Sequence, residues 1–170
     1  QIQAATPLPA IEVMEMILRN GIGAEKITLF RDSVDFMSRV RSLPSKPDII
    51  LLDIHVQPIS GLEMLSMLMN DPNYMEIPIV ALTASVMNEE VQQLRQAGFD
   101  SGISKPVSVR TFPALIQRIA DGEKVWHNPT ICHGLGFKRT YKNLDANRCR
   151  VLCFNGRFNS WGVASCSFSI

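Results

Sequence analysis

A regular alternation of short apolar runs with helix-period segments, between residues 8 and 121, most constrains the fold of this chain. The apolar runs occupy residues 26–31, 48–53, 77–83 and 101–104. Strands that alternate with helices are typical of a parallel sheet covered by helices. We therefore predict an α/β domain with a doubly wound parallel sheet.

The run from Asp48 to Asp53 is apolar at every position between its two carboxylates. A continuous apolar strand is typical of a sheet that is buried on both faces. We therefore predict that this strand lies at the centre of the sheet.

Five helices are predicted from apolar spacing and capping residues. The first helix is indicated by apolar residues at helical spacing, Ile11, Met14, Ile17 and Leu18. The second is indicated by a cap at Asp32 or Ser33. The third is indicated by a Ser60–Glu63 capping box and an inward apolar stripe of Leu62, Leu65, Leu68 and Met69. The last two are marked by a cap at Asn88 with a glycine stop at Gly98, and by a cap at Ser108 with an apolar face of Phe112, Leu115, Ile116 and Ile119.

Composition excludes two partner classes. The formal net charge is +1, and no basic run with interleaved aromatic residues predicts a nucleic-acid surface. No apolar stretch reaches the roughly 18 residues of a membrane span, and no signal peptide is visible. We expect a cytoplasmic protein that binds neither nucleic acid nor membrane.

Residues 128–170 show no periodicity, so we predict one α/β domain over residues 1–127 and a tail of unassigned structure over residues 128–170. The four cysteines lie only in this tail. We interpret these four cysteines as free thiols in a loosely ordered tail. The alternative is a small metal site, whose candidate ligands are Cys132, His133, Cys149, Cys153 and Cys166.

Three predicted strands end in polar side chains: Asp53, Thr83 and Lys105. In a parallel sheet the ends of all strands meet along one edge, where such folds bind ligands. A carboxylate nucleophile, a hydroxyl and an ammonium group suit the acceptance of a phosphoryl group. Singly, each residue has an ordinary structural explanation, but their occurrence at successive strand ends favours a site.

The segments around these residues resemble the response-regulator receiver family, whose members have the CheY-like, flavodoxin-type fold. The resembling motifs are Leu-Leu-Asp53-Ile-His with Gly61 eight positions later, Ala-Leu-Thr83-Ala, and Ser-Lys105-Pro. The resemblance implies strand order 2-1-3-4-5. It also implies that Asp53 is phosphorylated and that Thr83 and Lys105 detect the new charge.

Several partners follow from the same resemblance. A histidine kinase or a phosphotransfer protein would donate the phosphoryl group, and a downstream effector protein would contact the last two helices, whose faces carry Met87, Val91, Val107 and Phe112. Mg²⁺ would bind Asp53 and the backbone carbonyl of His55. The chain would be a signalling module and not an enzyme.

The sequence departs from the family pattern in several places. Ala4 and Ala5 stand where the family has an acidic pair that holds Mg²⁺, so we expect weak metal binding. Gly102 stands where an aromatic residue is expected, and Pro58 is shifted by one position. The first strand, at most Gln1 to Ala5, is short or incomplete, so either upstream residues have been removed or the domain is altered there.

Two alternatives remain open at this point. A degenerate receiver could act as an interaction module without phosphoryl chemistry, which the absence of an acidic pair favours. A hydrolase that forms an aspartyl phosphate would need a second aspartate two residues after Asp53 as its general acid or base, and His55 stands there instead.

Overall fold

A computed structural model describes residues 15–16, 19–20, 26–84, 87–105, 107, 110–126 and 150–154. Its strands are β1 (Lys26–Phe30), β2 (Ile49–Asp53), β3 (Ile79–Thr83), β4 (Ser101–Ser104) and β5 (Arg150–Phe154). Its helices are α1 (Phe36–Arg41), α2 (Gly61–Met69), α3 (Asn88–Ala97) and α4 (Phe112–Ala120). The described part of the chain therefore has the predicted alternation of strands and helices.

The five strands form one parallel sheet in the order β1-β5-β2-β3-β4. The expected order 2-1-3-4-5 counts a first strand that precedes β1 in the chain. In that count β1 corresponds to strand 2, and β2, β3 and β4 correspond to strands 3, 4 and 5. Strand β5 lies in the position expected for strand 1. Gln1 to Ala5, which we expected there, lie outside the described residues.

Strand β5 comes from the segment for which the sequence predicts no structure. It pairs with β1 through Ile27↔Val151 and with β2 through Ile49↔Val151. Four of its five residues are buried. Residues 150–154 therefore complete the parallel sheet, which corrects the prediction of an unassigned tail at these positions.

Side chains of β5 alternate between the two faces of the sheet. Val151 and Cys153 lie in the core under α4, and Leu152 and Phe154 lie in the core under α1, α2 and α3. The ring of Phe154 stacks on Phe30 and meets Phe36 edge-on, with ring centroids 4.8 Å apart in both pairs. Strand β5 thus contributes to both hydrophobic cores.

Strand β2 is buried at all five positions and lies between β5 and β3. Ile49 and Leu51 face the α4 side, whereas Ile50 and Leu52 face the opposite side. Both faces of the sheet are therefore covered by helices. The predicted central, doubly buried strand is confirmed.

The capping box that opens α2 is confirmed, because the Ser60 side chain accepts from the Glu63 N–H and the Glu63 side chain accepts from the Ser60 N–H. The predicted inward stripe is partly wrong. Leu65 and Leu68 are buried, but Leu62 and Met69 are exposed, and Met64 is buried. The stripe is rotated toward Met64 because the glycine start of the helix lies against the end of β2.

The N-cap position of α1 is Asp35, in a left-handed conformation and without a side-chain capping bond, so the predicted cap at Asp32 or Ser33 is wrong. The Ser33 hydroxyl instead donates to the Ile59 carbonyl and accepts from the Ile59 N–H, which ties two loops together. The N-cap of α3 is Met87 and not the predicted Asn88, which is the first residue of the helix. Helix α3 ends at Ala97, and the φ of 111° at Gly98, its C-cap, confirms the predicted glycine stop.

Helix α4 buries all four residues of its predicted face, and its N-cap is Thr111. Ser108, the predicted cap, lies outside the described residues. So do the apolar positions of the first predicted helix, although residues 15–16 and 19–20 are helical and Arg19 pairs with Glu15 at 2.8 Å.

Candidate functional site

Asp53 and Thr83 are the last residues of β2 and β3, and Lys105 directly follows β4. These three strands are adjacent and parallel, so the three residues lie along one edge of the sheet. The Lys105 N–H donates to the Thr83 carbonyl over 2.7 Å, which continues the pairing of β3 and β4 past the strand ends. The structure therefore brings all three predicted site residues to the same edge.

Asp53 and Lys105 form a buried ion pair, with Lys105 Nζ 3.0 Å from Asp53 Oδ1. The side chains are 0% and 4% exposed. The backbone N–H of His55 donates to the same Oδ1 over 3.0 Å. Two donors, one of them charged, thus fix the orientation of this carboxylate.

Gly61 allows α2 to begin close to the end of β2, where Asp53 lies. A Cβ at position 61 would lie 2.7 Å from the carbonyl oxygen of Asp53 and 2.8 Å from the Cα of Ile54. The Gly61 N–H donates to the Ile54 carbonyl over 3.2 Å. Only glycine allows the start of α2 to approach the end of β2 this closely, which accounts for the spacing between Asp53 and Gly61.

Burial lowers the pKa of Lys105 below its ordinary value, and the negative charge of Asp53 opposes that shift. Desolvation disfavours the charged form of an ammonium group, whereas a nearby carboxylate favours it. The Asp53 carboxylate therefore stabilises the charged form of the Lys105 ammonium in the folded state.

The hydroxyl of Thr83 donates to Glu90 Oε1 over 2.7 Å. Glu90 lies in the first turn of α3, so this bond joins the end of β3 to the helix that follows it. Sequence reasoning did not predict this contact. The only signal available for it is the acidic character of the first helical turn, a property of many helices.

Cys153 is a second neighbour of the site that sequence reasoning did not predict. It pairs in register with Leu51 and is fully buried. Burial raises the pKa of the Cys153 thiol, the charge of Asp53 raises it further, and Lys105 opposes the shift. The other candidate ligands of the predicted tail site, Cys132, His133, Cys149 and Cys166, lie outside the described residues.

The described residues fit a tightly bound Mg²⁺ poorly. Mg²⁺ prefers several oxygen ligands in octahedral geometry. Within the described ranges no group of three or more His, Cys, Asp and Glu side chains is placed to hold a metal ion. Asp53 already has the Lys105 ammonium on its Oδ1, and a second cation there would meet that positive charge. Ala4 and Ala5, the positions expected to replace the acidic pair, lie outside the described residues.

His55 is exposed in the loop after β2. Its contact with the site is the backbone N–H bond to Asp53. Among the described helices, none has both the length and the apolar character needed to cross a membrane.

The sequence model of the response regulator receiver domain matches residues 9–117. The polar-differentiation response regulator DivK of Brucella anthropi is 42% identical over 67 residues, which make up 39% of this chain and 54% of DivK. DivK of Brucella ovis is 42% identical over 66 residues, with the same coverage. This chain spans about half the length of the curated relatives it matches.

Solved structures agree with this match. The chemotaxis response regulator CheY4 of Vibrio cholerae superposes with a TM-score of 0.57 over 64% of this chain and 88% of CheY4, at 18% identity, which supports the fold alone. The receiver domain of the sensor histidine kinase PA1611 from Pseudomonas aeruginosa is 25% identical, with a TM-score of 0.53 over 63% of this chain and 84% of that domain. The PA1611 domain holds a magnesium ion in its active-site cleft.

Proposed function

We propose, since this chain belongs to the response regulator receiver domain family, that it is the receiver module of a two-component phosphorelay and accepts a phosphoryl group on Asp53. The observation that carries the proposal is the buried pair of Asp53 and Lys105, with Thr83 at the end of the adjacent strand. This arrangement supplies a nucleophile, a fixed positive charge and a hydroxyl donor at one edge of the sheet.

The transfer would proceed by attack of an Asp53 carboxylate oxygen on the phosphorus of a phosphohistidine. An O–P bond forms, the N–P bond breaks, and the imidazole nitrogen keeps that electron pair and takes up a proton. Lys105 would offset the negative charge that develops on the transferred oxygens, and Thr83 would donate to one of them. The two donors on Asp53 Oδ1 hold the carboxylate in a fixed orientation before the transfer.

The donor would be a histidine kinase or a phosphotransfer protein, as for other receiver domains. Transfer adds negative charge beside Lys105 and gives the Thr83 hydroxyl a new acceptor, so both would be drawn toward the phosphoryl group. Thr83 now donates to Glu90 of α3, and its movement would shift the balance between two positions of that helix. An effector protein would bind the altered surface of α3 and α4. The chain would therefore act as a signalling module without substrate turnover.

The test is incubation with acetyl phosphate and Mg²⁺, followed by intact-protein mass spectrometry. We expect one added phosphoryl group on the native chain and none on Asp53→Asn. Asp121→Asn, at the exposed end of α4, is the matched control and should be labelled like the native chain. A phosphoryl group that persists in Asp53→Asn would contradict the assignment of the acceptor.

A second candidate is a degenerate receiver that acts as an interaction module without phosphoryl chemistry. It is favoured by the lack, within the described residues, of a carboxylate cluster around Asp53 that could hold a metal. No labelling of the native chain, in conditions that label an ordinary receiver domain in parallel, would support this candidate and reject the first.

A further inference from the structure

We propose that Trp126 is a positioning residue that holds helix α3 against strand β4 and thereby keeps the Glu90 carboxylate on the hydroxyl of Thr83. The inference rests on the proposed function only where it treats Thr83 as a partner of Asp53. The placement of α3 itself does not depend on phosphoryl chemistry.

Helix α3 has few apolar contacts of its own. Leu94 is its one buried residue, and its N-cap, Met87, makes no capping hydrogen bond through its side chain. Helices in proteins owe most of their stability to the packing of an apolar face, and α3 has little of one. Its position therefore depends strongly on individual contacts at its two ends.

The contact at the first turn is the bond from Thr83 to Glu90 described above. The contact at the last turn is made by Arg95, whose guanidinium carbon lies 4.8 Å from the centroid of the Trp126 ring. This distance is within the range of a cation–π interaction. The two contacts hold opposite ends of the same helix.

Trp126 is in turn fixed to β4. It forms an isolated parallel bridge with Gly102, and the Gly102 N–H donates to the Val125 carbonyl over 2.8 Å. Next to this bridge, the Val125 N–H donates to the Ser101 hydroxyl over 3.0 Å. The segment that ends at Trp126 thus lies along the outer edge of β4.

The Trp126 ring covers the face of Gly102. A Cβ at position 102 would lie 2.8 Å from two carbons of the ring, so any larger residue would push the ring away. The ring also packs against the hydrophobic core on the α3 side of the sheet. An aromatic ring that comes from outside the strand therefore fills the space next to a glycine in the strand that leads to Lys105.

These contacts form a continuous physical connection. Trp126 joins β4, which precedes Lys105, to the last turn of α3, and α3 carries Glu90 to Thr83. Loss of the ring would release the end of the helix and weaken the placement of Glu90. Lys105 and Thr83 are thus linked through one helix and one indole ring.

The first experiment is hydrogen exchange of the α3 amides in the full chain, measured by mass spectrometry. Trp126→Ala and Arg95→Ala should each speed exchange across α3 by about fivefold or more, the effect expected from loss of a cation–π contact and of ring packing. Arg118→Ala is the matched control, because Arg118 is also the last-turn arginine of its helix but pairs with Glu123 on the surface. Unchanged exchange of α3 in Arg95→Ala, a surface substitution that leaves the core intact, would overturn the proposal.

The second experiment is a rescue. Gly102→Phe in the native chain should disturb α3, because the new side chain and the Trp126 ring compete for one space. In the Trp126→Ala background, the same substitution supplies a ring from the strand itself and should slow α3 exchange again. A folded double variant that exchanges as fast as Trp126→Ala would show that the ring does not hold the helix.

The third experiment tests the link to Thr83. Glu90→Ala removes the acceptor of the Thr83 hydroxyl, so it should speed α3 exchange in the native chain and add little in Trp126→Ala, where the helix is already released. Glu89→Ala removes an acidic side chain one position earlier and is the control. Equal effects of Glu90→Ala in both backgrounds would refute the coupling. Exchange needs no phosphoryl transfer, so failure of Asp53 labelling leaves this result intact and the two proposals are judged independently.

Discussion

Asp48 and Arg150 lie 102 positions apart in the chain and form a doubly bonded ion pair where β5 enters the sheet. The distances are 3.0 Å from Arg150 Nε to Asp48 Oδ2 and 3.1 Å from the second guanidinium nitrogen to Oδ1. The Arg150 N–H also donates to Oδ2 over 2.8 Å, and the Asp48 N–H donates to the Arg150 carbonyl over 2.8 Å. These four bonds fix the register of β5 beside β2.

Arg150→Ala should lower the free energy of unfolding by about 1–2 kcal/mol, since it removes both guanidinium bonds and leaves a mostly buried carboxylate with less compensation. Urea denaturation followed by circular dichroism measures this change. Arg118→Ala breaks the pair with Glu123, in which both side chains are 54% exposed, and should cost less than about 1 kcal/mol. Equal costs for the two variants would mean that the pair of Asp48 and Arg150 does not anchor β5.

Leu152→Ala tests whether β5 is an integral part of the core. Leu152 is 1% exposed and packs in the core on the side of α1, α2 and α3. We expect a loss of about 2–5 kcal/mol in the free energy of unfolding, as for other truncations of fully buried leucines. The same urea titration measures it.

Leu62→Ala is the control for that titration, because Leu62 is 45% exposed at the start of α2. Its cost should stay within about 0.5 kcal/mol. A cost for Leu152→Ala as small as that of the control would place β5 outside the cooperative core.

Lys105→Met should be costly because it leaves the buried Asp53 carboxylate without its charged partner. Removing one member of a buried pair typically costs about 3–5 kcal/mol. Adding Asp53→Asn to that variant removes the stranded charge, so the double variant should be more stable than Lys105→Met alone. A double-mutant cycle from thermal or urea unfolding gives the coupling, and strict additivity of the two changes would argue against the ion pair.

The Cys153 thiol should resist alkylation in the folded protein. Burial raises its pKa, and the neighbouring Asp53 charge raises it further, so the reactive thiolate is scarce and inaccessible. Iodoacetamide treatment with peptide mass mapping should show Cys153 unmodified until denaturant is added. Rapid modification of Cys153 in the native chain would contradict the buried position of β5.

The Cys153 thiol should also make the free energy of unfolding depend on pH. Because its pKa is higher in the folded than in the unfolded chain, the folded state binds the proton more tightly, and stability falls as pH rises above the ordinary value of 9.0. Lys105, whose folded pKa is lowered, gives the opposite slope in the range below 10.5. The difference between the native chain and Cys153→Ala isolates the contribution of the thiol, and identical slopes would contradict it.

Local patterns predicted the parts of this fold that local interactions determine. The apolar run between Asp48 and Asp53 identified the central strand, and the spacing from Ser60 to Glu63 identified a helix start, because a buried strand and a capping box each leave a signal within a few residues. The placement of Thr83 and Lys105 beside Asp53 was predictable because parallel strands bring their ends to one edge.

Non-local features were not predictable in this way. Residues 150–154 are too few to show a period, and what selects them as β5 is the gap between β1 and β2, which exists only in three dimensions. The contacts of Trp126 with Gly102 and of Glu90 with Thr83 also depend on the path of the chain. The error in the predicted buried face of α2 has a different origin. A rotation of the helix about its axis by less than the angle between successive residues moves Leu62 out of the buried face and Met64 into it.

The position of β5 also affects how the described sheet is made during synthesis. The ribosome delivers β1 to β4 first, and the strand that lies between β1 and β2 is translated last. Until residue 154 has been released, none of the other described strands joins β1 to β2, and the edges of β1 and β2 that β5 will cover are open to other chains. A nascent chain stalled after Trp126 should therefore be a substrate for chaperones, whereas one that has passed Phe154 can close its own sheet.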